Sequence, residues 1–263
     1  MNKEASVFII ENKDYKAQSV FLPENLLREA RRQKNISECN VPEICVLDPD
    51  GDLADYLLKE GNARKNNCWA CYHSNLYTFQ IDEIEFGIIP CIVGASYAVL
   101  VAEQLFVSGC KYLISVTSAG IINPPSTNKR FALITKAIRD EGTSYHYLPK
   151  EKPSIIPPTL YQKLSKQSGN EICAWFDAKS WTTDAPYRET ETAISAMKKE
   201  NVTCVEMEAA ALYAFAQAKH KNVICFAHLT NTMAQQEGDF EKGEHFGSID
   251  TLNLLKEVVK WII

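Results

Sequence analysis

The stretch Val202 to Lys219 reads Val202-Thr203-Cys204-Val205, then Glu206-Met207-Glu208, then Ala209-Ala210-Ala211-Leu212-Tyr213-Ala214-Phe215 and on to Lys219. A short apolar run ends in two carboxylates flanking a methionine, and an alanine-rich helical stretch follows at once. This is a strand feeding a helix, with its charges at the junction. One acid there is explained by the helix dipole. Two acids set directly behind an apolar strand need a further reason, because a buried carboxylate is costly without partners. A hydroxyl-rich ligand such as a sugar would be one.

Working outward, the same alternation recurs. Ile44 to Leu47 is a short apolar run closed by Asp48-Pro49-Asp50-Gly51. Phe86 to Val93 predicts a strand that runs through Gly94-Ala95-Ser96 into a helix from about Tyr97 to Ser108. Lys111 to Val116 is a buried strand followed by a turn, Thr117-Ser118-Ala119-Gly120. Ala132 to Ile138 is a further strand, Lys150 to Pro158 a proline-rich loop, and Leu160 to Gln167 and Thr190 to Glu200 are helices. Val223 to Leu229 is an apolar strand, and Leu252 to Ile263 an amphipathic closing helix. Strand-helix alternation over this length predicts an α/β fold on a parallel or mixed sheet. Composition shows no linker, so residues 1–263 are read as one domain, with residues 1–40 an irregular or helical N-terminal extension that includes a short charged helix from Asn25 to Lys34.

The net charge of −5 over 263 residues argues against a nucleic-acid partner, which requires a basic face. The basic run Arg28 to Lys34 is read as a solvated helix face. No apolar stretch approaches the roughly 20 residues of a membrane span, and the N-terminus has no apolar leader core. Nine cysteines are scattered, several in apolar runs, which suggests reduced thiols in a cytoplasmic protein. Cys68-Trp69-Ala70-Cys71 has redox spacing without redox context. It has no second pair to complete a zinc site. Asp48 to Asp52 resembles the start of a calcium loop, but Lys59 stands where its bidentate acid belongs. No metal site is expected.

Ligands of open α/β folds gather at the carboxyl ends of strands, and four such ends carry polar groups: Thr117 to Gly120, Glu206 to Glu208, Arg139 to His146, and Leu229-Thr230-Asn231-Thr232-Met233. The amide of Asn231 can donate and accept, which suits reading the edge of a base.

These motifs, in this order over roughly residues 44–263, resemble the nucleoside phosphorylase superfamily of purine nucleoside phosphorylases, uridine phosphorylases and adenosylhomocysteine-type nucleosidases. The resemblance implies an α/β sandwich around a mixed, partly barrel-like sheet. It implies ribose binding by Glu206, Met207 and Glu208, and catalysis by Glu208 with Asn231 and Arg188 at the leaving base. Arg139 to His146 and the Asn231 region with Gln235-Gln236-Glu237 look like the uridine phosphorylase versions of their segments. The implied partners are a nucleoside and phosphate, the latter as co-substrate with no other cofactor, and a neighbouring subunit in a dimer or a hexamer of dimers.

The sequence also departs from the family pattern. The arginine of the loop after the first strand is absent, Ser115 stands where a second phosphate arginine is expected, and the position lent by a neighbour falls near His73. The donors left to hold phosphate are then Gly94, Thr117, Ser118, Gly120 and His73, with charge from Arg64 or Lys65. Two alternatives stand beside phosphorolysis. One is hydrolysis, with Asp50 or Asp52 as general base; the other is a non-catalytic nucleoside-binding protein. An aspartate where Asn231 stands is common in relatives acting on 6-amino or 6-oxopurines, so the amide leaves uridine-like and inosine-like substrates open.

Overall fold

The structure is a computed structural model, which describes residues 9–168, 174–233 and 237–263. One ten-stranded sheet organises the chain. Its centre is β5 (Tyr112–Ile121), long enough to hold three partners. Along one edge lies β10 (Asn222–Asn231), parallel to it for most of its length. On the other edge β1 (Ile44–Asp48) pairs in parallel with Tyr112 to Ser115, and β9 (Cys204–Glu206) pairs antiparallel with Gly120 and Ile121.

From β10 the sheet continues antiparallel to β6 (Phe131–Asp140), then parallel to β8 (Trp175–Thr183), and β8 is parallel to β9. Because β9 and β10 both return to β5, these five strands close into a ring. This is the barrel-like part of the mixed sheet. Outward from β1, the sheet is extended by β4 (Ile84–Pro90), β3 (Tyr77–Ile81) and β2 (Ala63–Lys65). A two-residue strand, β7 (Ser154–Ile155), adds to β6 within the segment predicted as loop.

Helices flank this sheet. They are α1 (Pro23–Lys34), α2 (Asp52–Lys59), α3 (Ala95–Val107), α4 (Pro158–Ser168), α5 (Glu191–Lys199), α6 (Ala209–Lys219) and α7 (Ser248–Ile262). Every residue of α6 from Ala209 to Ala216 is buried. Its alanines remove side-chain bulk, so this helix can lie close to α3 and to the ring strands. The Tyr213 hydroxyl, buried inside, donates to the Ile134 carbonyl at 2.6 Å and so ties α6 to β6. Thr190 caps α5 through the Ala193 amide. No helix among the described residues is long and apolar enough to cross a membrane.

Three expectations change. Thr117 to Gly120 is not a turn but the last part of β5, because β9 and β10 supply pairing on both edges there. The strand β8, the helix α2 and the hairpin β2–β3 were not anticipated. And the thiols are not all reduced: Cys39 and Cys68 form a disulfide that ties the N-terminal extension to the loop before β3. Its partner in the Cys-x-x-Cys motif, Cys71, is free and buried.

Candidate active site

The carboxyl ends of β1, β5 and β10 open on one side of the sheet, and the ends of β8 and β9 reach the same place across the ring. A cavity of about 370 Å³ lies there, with Met207, Glu208, Asn231, Ser118, Asp50 and Glu189 in its wall. The predicted ribose, base and acceptor segments, far apart in the sequence, therefore do meet.

The two glutamates of the junction divide the work. Glu206 is buried, and one of its oxygens accepts the hydroxyls of Ser180 (3.0 Å) and Thr182, while the other accepts the amides of Glu208 (2.8 Å) and Ala209 (2.7 Å). These donors fill the roughly four hydrogen bonds a carboxylate can accept. Glu206 therefore fastens β8 and β9 to the start of α6, and it also lines the cavity. Burial raises its carboxyl above the ordinary range, and the donors oppose that rise.

Glu208 is different. It is 1% exposed, and Oε1 accepts the Gly94 amide at 2.7 Å, but Oε2 is buried with no hydrogen-bond partner. Burial pushes this carboxyl up to about 8, and the neighbouring Glu206 charge adds to the shift. A buried acceptor without a donor is costly. In a cavity wall, it is an acceptor held ready for a hydroxyl from outside. Met207, half-buried beside it, offers a polarizable apolar surface.

The expected phosphate donors are mostly engaged. The Gly94 amide is taken by Glu208. Ser118 gives its amide (3.0 Å) and its hydroxyl (2.9 Å) to the two oxygens of Asp50. Gly120 is paired on both edges, and a Cβ there would lie 2.8 Å from Met233 Sδ and 3.4 Å from Asn231 Oδ1. Its lack of a side chain makes room for the Asn231–Met233 hook rather than for an anion. Thr117, whose hydroxyl reaches its neighbour's carbonyl, lines the cavity. His73 is exposed and lines neither this cavity nor the smaller one beside it, and its carbonyl accepts the Tyr97 hydroxyl of α3. Ser115, at the expected arginine position, is a buried hydroxyl with no partner. Arg64 and Lys65 are exposed on β2 and line neither of the two.

The cation of this corner is one the sequence did not reveal. Lys242 reaches Asp52 Oδ2 at 2.5 Å and Asp50 Oδ2 at 3.4 Å, with its side chain 12% exposed. It lines a second, smaller cavity of about 20 Å³ that also has Thr117 and Ser118 in its wall, room for one water. His228 and Asp48 share that cavity. Burial holds His228 down to about 4, so it is neutral, and its Nε2 has no partner. Burial pushes Asp48 up to about 7, although the Ala54 amide at 2.9 Å and the Gly51 amide oppose it. Asp48 thus bonds to the first turn of α2 and does not line the larger cavity. No spacing rule links Lys242 to Asp50, so only the fold could show the pair.

At the base end, Asn231 is buried, donating to Thr230 Oγ1 at 3.1 Å and accepting the Met233 amide at 2.9 Å. A register shift between Leu229 and Asn231 bends the end of β10 and aims this amide into the wall. Arg188 is exposed and does not line the cavity; its neighbours Tyr187 and Glu189 do. Arg139 serves its own loop, giving its guanidinium to Ser144 Oγ (2.8 Å) and to the carbonyls of Leu148, Pro149 and Lys152. Gln235 and Gln236 lie outside the described residues; Glu237 is exposed and not part of the cavity wall.

Comparison with known proteins bears on the family and the fold. The family model described as "Phosphorylase superfamily" matches residues 43–259. An uncharacterized protein of Acanthamoeba polyphaga mimivirus is 25% identical over 154 residues, 59% of this chain and 60% of its own length. A purine nucleoside phosphorylase of Plasmodium vivax is 24% identical over 123 residues, 46% of this chain and 50% of its own. The matched stretch thus spans only half to three-fifths of these curated relatives. Among solved structures, a uridine phosphorylase of Vibrio fischeri superposes with a TM-score of 0.68 at 17% identity, covering 85% of this chain and 92% of that one. A purine nucleoside phosphorylase of Toxoplasma gondii in complex with immucillin-H gives 0.67 at 14% identity, with 84% and 90% covered. At these identities the structural likeness speaks for the fold.

Proposed function

Because this chain belongs to the phosphorylase superfamily, we propose that it cleaves the N-glycosidic bond of a nucleoside, with the sugar held by Glu208 and Met207. One observation carries this reading: the buried, unpartnered Oε2 of Glu208 in the wall of a cavity of about 370 Å³, beside the methionine. Bond cleavage makes the anomeric carbon cation-like. At neutral pH burial keeps the Glu208 carboxyl mostly protonated. Sugar hydroxyls donating to it would favour its ionised form. A carboxylate gripping them, in bonds that strengthen as the cation-like charge grows, lowers the barrier selectively. The base, purine or pyrimidine, lies toward Asn231.

The family supports phosphate as the acceptor, giving free base and ribose 1-phosphate. Thr117 and Lys242 would then meet the anion, and Asp50 would have to release Ser118. A second reading, hydrolysis, is favoured by a specific observation. Asp50 already occupies the Ser118 amide and hydroxyl, with Lys242 beside it. A protein carboxylate thus stands where the phosphate donors point, and in this reading it draws a proton from an attacking water. A panel of nucleosides assayed with and without inorganic phosphate decides between them. Phosphate-dependent release of base, with ribose 1-phosphate formed, supports phosphorolysis. Full-rate release in phosphate-free buffer, with free ribose formed, overturns it in favour of hydrolysis. Tight binding of nucleosides with no turnover in either buffer would overturn both and leave a binding protein. We further propose a closed homo-oligomer, as the family resemblance implies, working in the cytoplasm.

A further inference from the structure

Breaking the glycosidic bond leaves its electron pair on a ring nitrogen of the base, and ordinary bases leave slowly unless that charge is met by a proton. Neither residue expected at the base does this. Arg188 is exposed and outside the cavity wall. Asn231 is an amide with no acidic proton, and both ends of it are engaged.

Besides the phenol of Tyr187, which is 99% exposed, the ionisable side chains lining the cavity are the four carboxyls of Asp50, Glu189, Glu206 and Glu208. Three have assignments. Asp50 is bonded to Ser118, Glu206 is saturated by its donors, and Glu208 is tied to Gly94 beside Met207. Glu189 is left. It stands on the connection between β8 and α5, directly after the short turn Pro186–Arg188, and its backbone amide is held by the Pro186 carbonyl at 3.4 Å. Its side chain is half-buried against the cavity and takes part in no hydrogen bond or ion pair among the described residues. The same wall brings Asn231, Met233 and Tyr187 beside this space.

We propose that Glu189 is the general acid that protonates the leaving base. The inference rests on the nucleoside-cleaving reading of the cavity. In the step, the bond between the anomeric carbon and the base nitrogen breaks and its electrons stay on the base. The carboxyl proton of Glu189 passes to a ring nitrogen, and the anomeric carbon takes the oxygen of the acceptor. The Glu189 carboxylate, half exposed, regains a proton from solvent. If water is the acceptor, its own proton leaves through Asp50; if phosphate is, none need leave.

The surroundings suit the task. Burial alone raises the Glu189 carboxyl to about 6. Near pH 7 roughly a tenth of it then carries a proton, against well under a hundredth for an ordinary glutamate. A base seated between it and Asn231 would remove more water and raise that fraction. Sequence reading passed over this residue for the arginine beside it, because a guanidinium offers the more familiar way to meet a negative charge.

The test compares leaving groups. Glu189→Gln keeps the size and removes the acid. Uridine and inosine need their base protonated; 4-nitrophenyl riboside, whose nitrophenolate is stable as an anion, does not. For the variant we expect a loss of roughly a hundredfold or more in kcat on the nucleosides, in the range of removing a general acid, and a change within about threefold on the nitrophenyl riboside. Circular dichroism and Tm should match the wild type, since the side chain holds no partner. Equal losses on both substrate types, or no loss on either, would overturn the assignment of Glu189. Wild-type protein that releases nitrophenolate but no base from any nucleoside would instead overturn the nucleoside reading, and inactivity toward every substrate would overturn both.

Discussion

At the scale of single residues, the two glutamates separated by Met207 show how position decides chemistry. Glu206 and Glu208 are equally buried in effect, yet one is satisfied by the protein and the other is not. Glu208→Gln is expected to lose at least ~10²-fold in kcat/KM, comparable to losing a positioned electrostatic group. Activity within a few-fold of wild type would remove Glu208 from the site. The same residue has a stability signature. Its carboxyl in the folded chain stands near 8, above the ordinary value, so the native state binds more protons than the unfolded one between about pH 4.5 and 8. Stability from this group is therefore greatest below that window and is lost as pH rises through it. Asp48, raised to about 7, acts in the same sense. Glu208→Gln should flatten the fall in Tm between pH 5 and 8; an unchanged slope would mean that the carboxyl ionises freely in the cavity.

At the scale of elements, the segment of residues 237–247, ahead of α7, borders the acceptor corner. It delivers Lys242 to Asp50 and Asp52, places Phe240 in the wall of the larger cavity, and holds His245 and Phe246 in left-handed backbone at φ 49° and 56°. Such conformations cost energy in non-glycine residues and persist where the surroundings enforce them. Gly247 must be glycine here: its φ is 80°, and a Cβ would come within 2.5 Å of the His228 ring. Lys242→Met should leave two neighbouring carboxylates without their cation and destabilise the protein by about 1.5–3 kcal/mol, the range for a hydrogen bond to a charged group. Urea unfolding measures this. A change below about 0.5 kcal/mol would put Lys242 among ordinary surface ion pairs. Sequence patterning located most elements, because apolar periodicity carried through Ile44 to Leu47, Phe86 to Val93 and Val223 to Leu229. It missed β8, whose last residues are buried on both faces and mix apolar with hydroxyl side chains: Ser180 and Thr182, bonded to Glu206, and Trp181 between them are all buried. A strand end buried on both faces has no apolar alternation to read.

At the scale of the whole molecule, the cavity is open on one side, and exposed apolar side chains stand in its wall: Tyr187 at 99%, Val93 at 54% and Phe240 at 50%. Large exposed apolar groups gathered at one place mark a surface that is covered in use. This leads to an expected closed homo-oligomer in sedimentation or solution scattering. A protein that is strictly monomeric and still fully active would refute that expectation.

By itself, the sequence determined the fold class and the strand-to-helix junction that carries two acids. Strand and helix periods, and two acids behind Val205, are local properties, written in residues that are neighbours in the chain. The ring of strands, the engagement of Gly94 and Ser118, the pairing of Lys242 with Asp50, and the placing of Glu189 rather than Arg188 in the cavity wall were decided only by the tertiary structure. Each depends on which donors and acceptors come within about 3 Å across 68 to 192 residues of chain, as for Ser118 with Asp50 and Lys242 with Asp50. Hydrogen bonds act over that short range, and the sequence order of polar groups does not state which of them folding brings together or which it leaves, like Glu208 Oε2, without a partner.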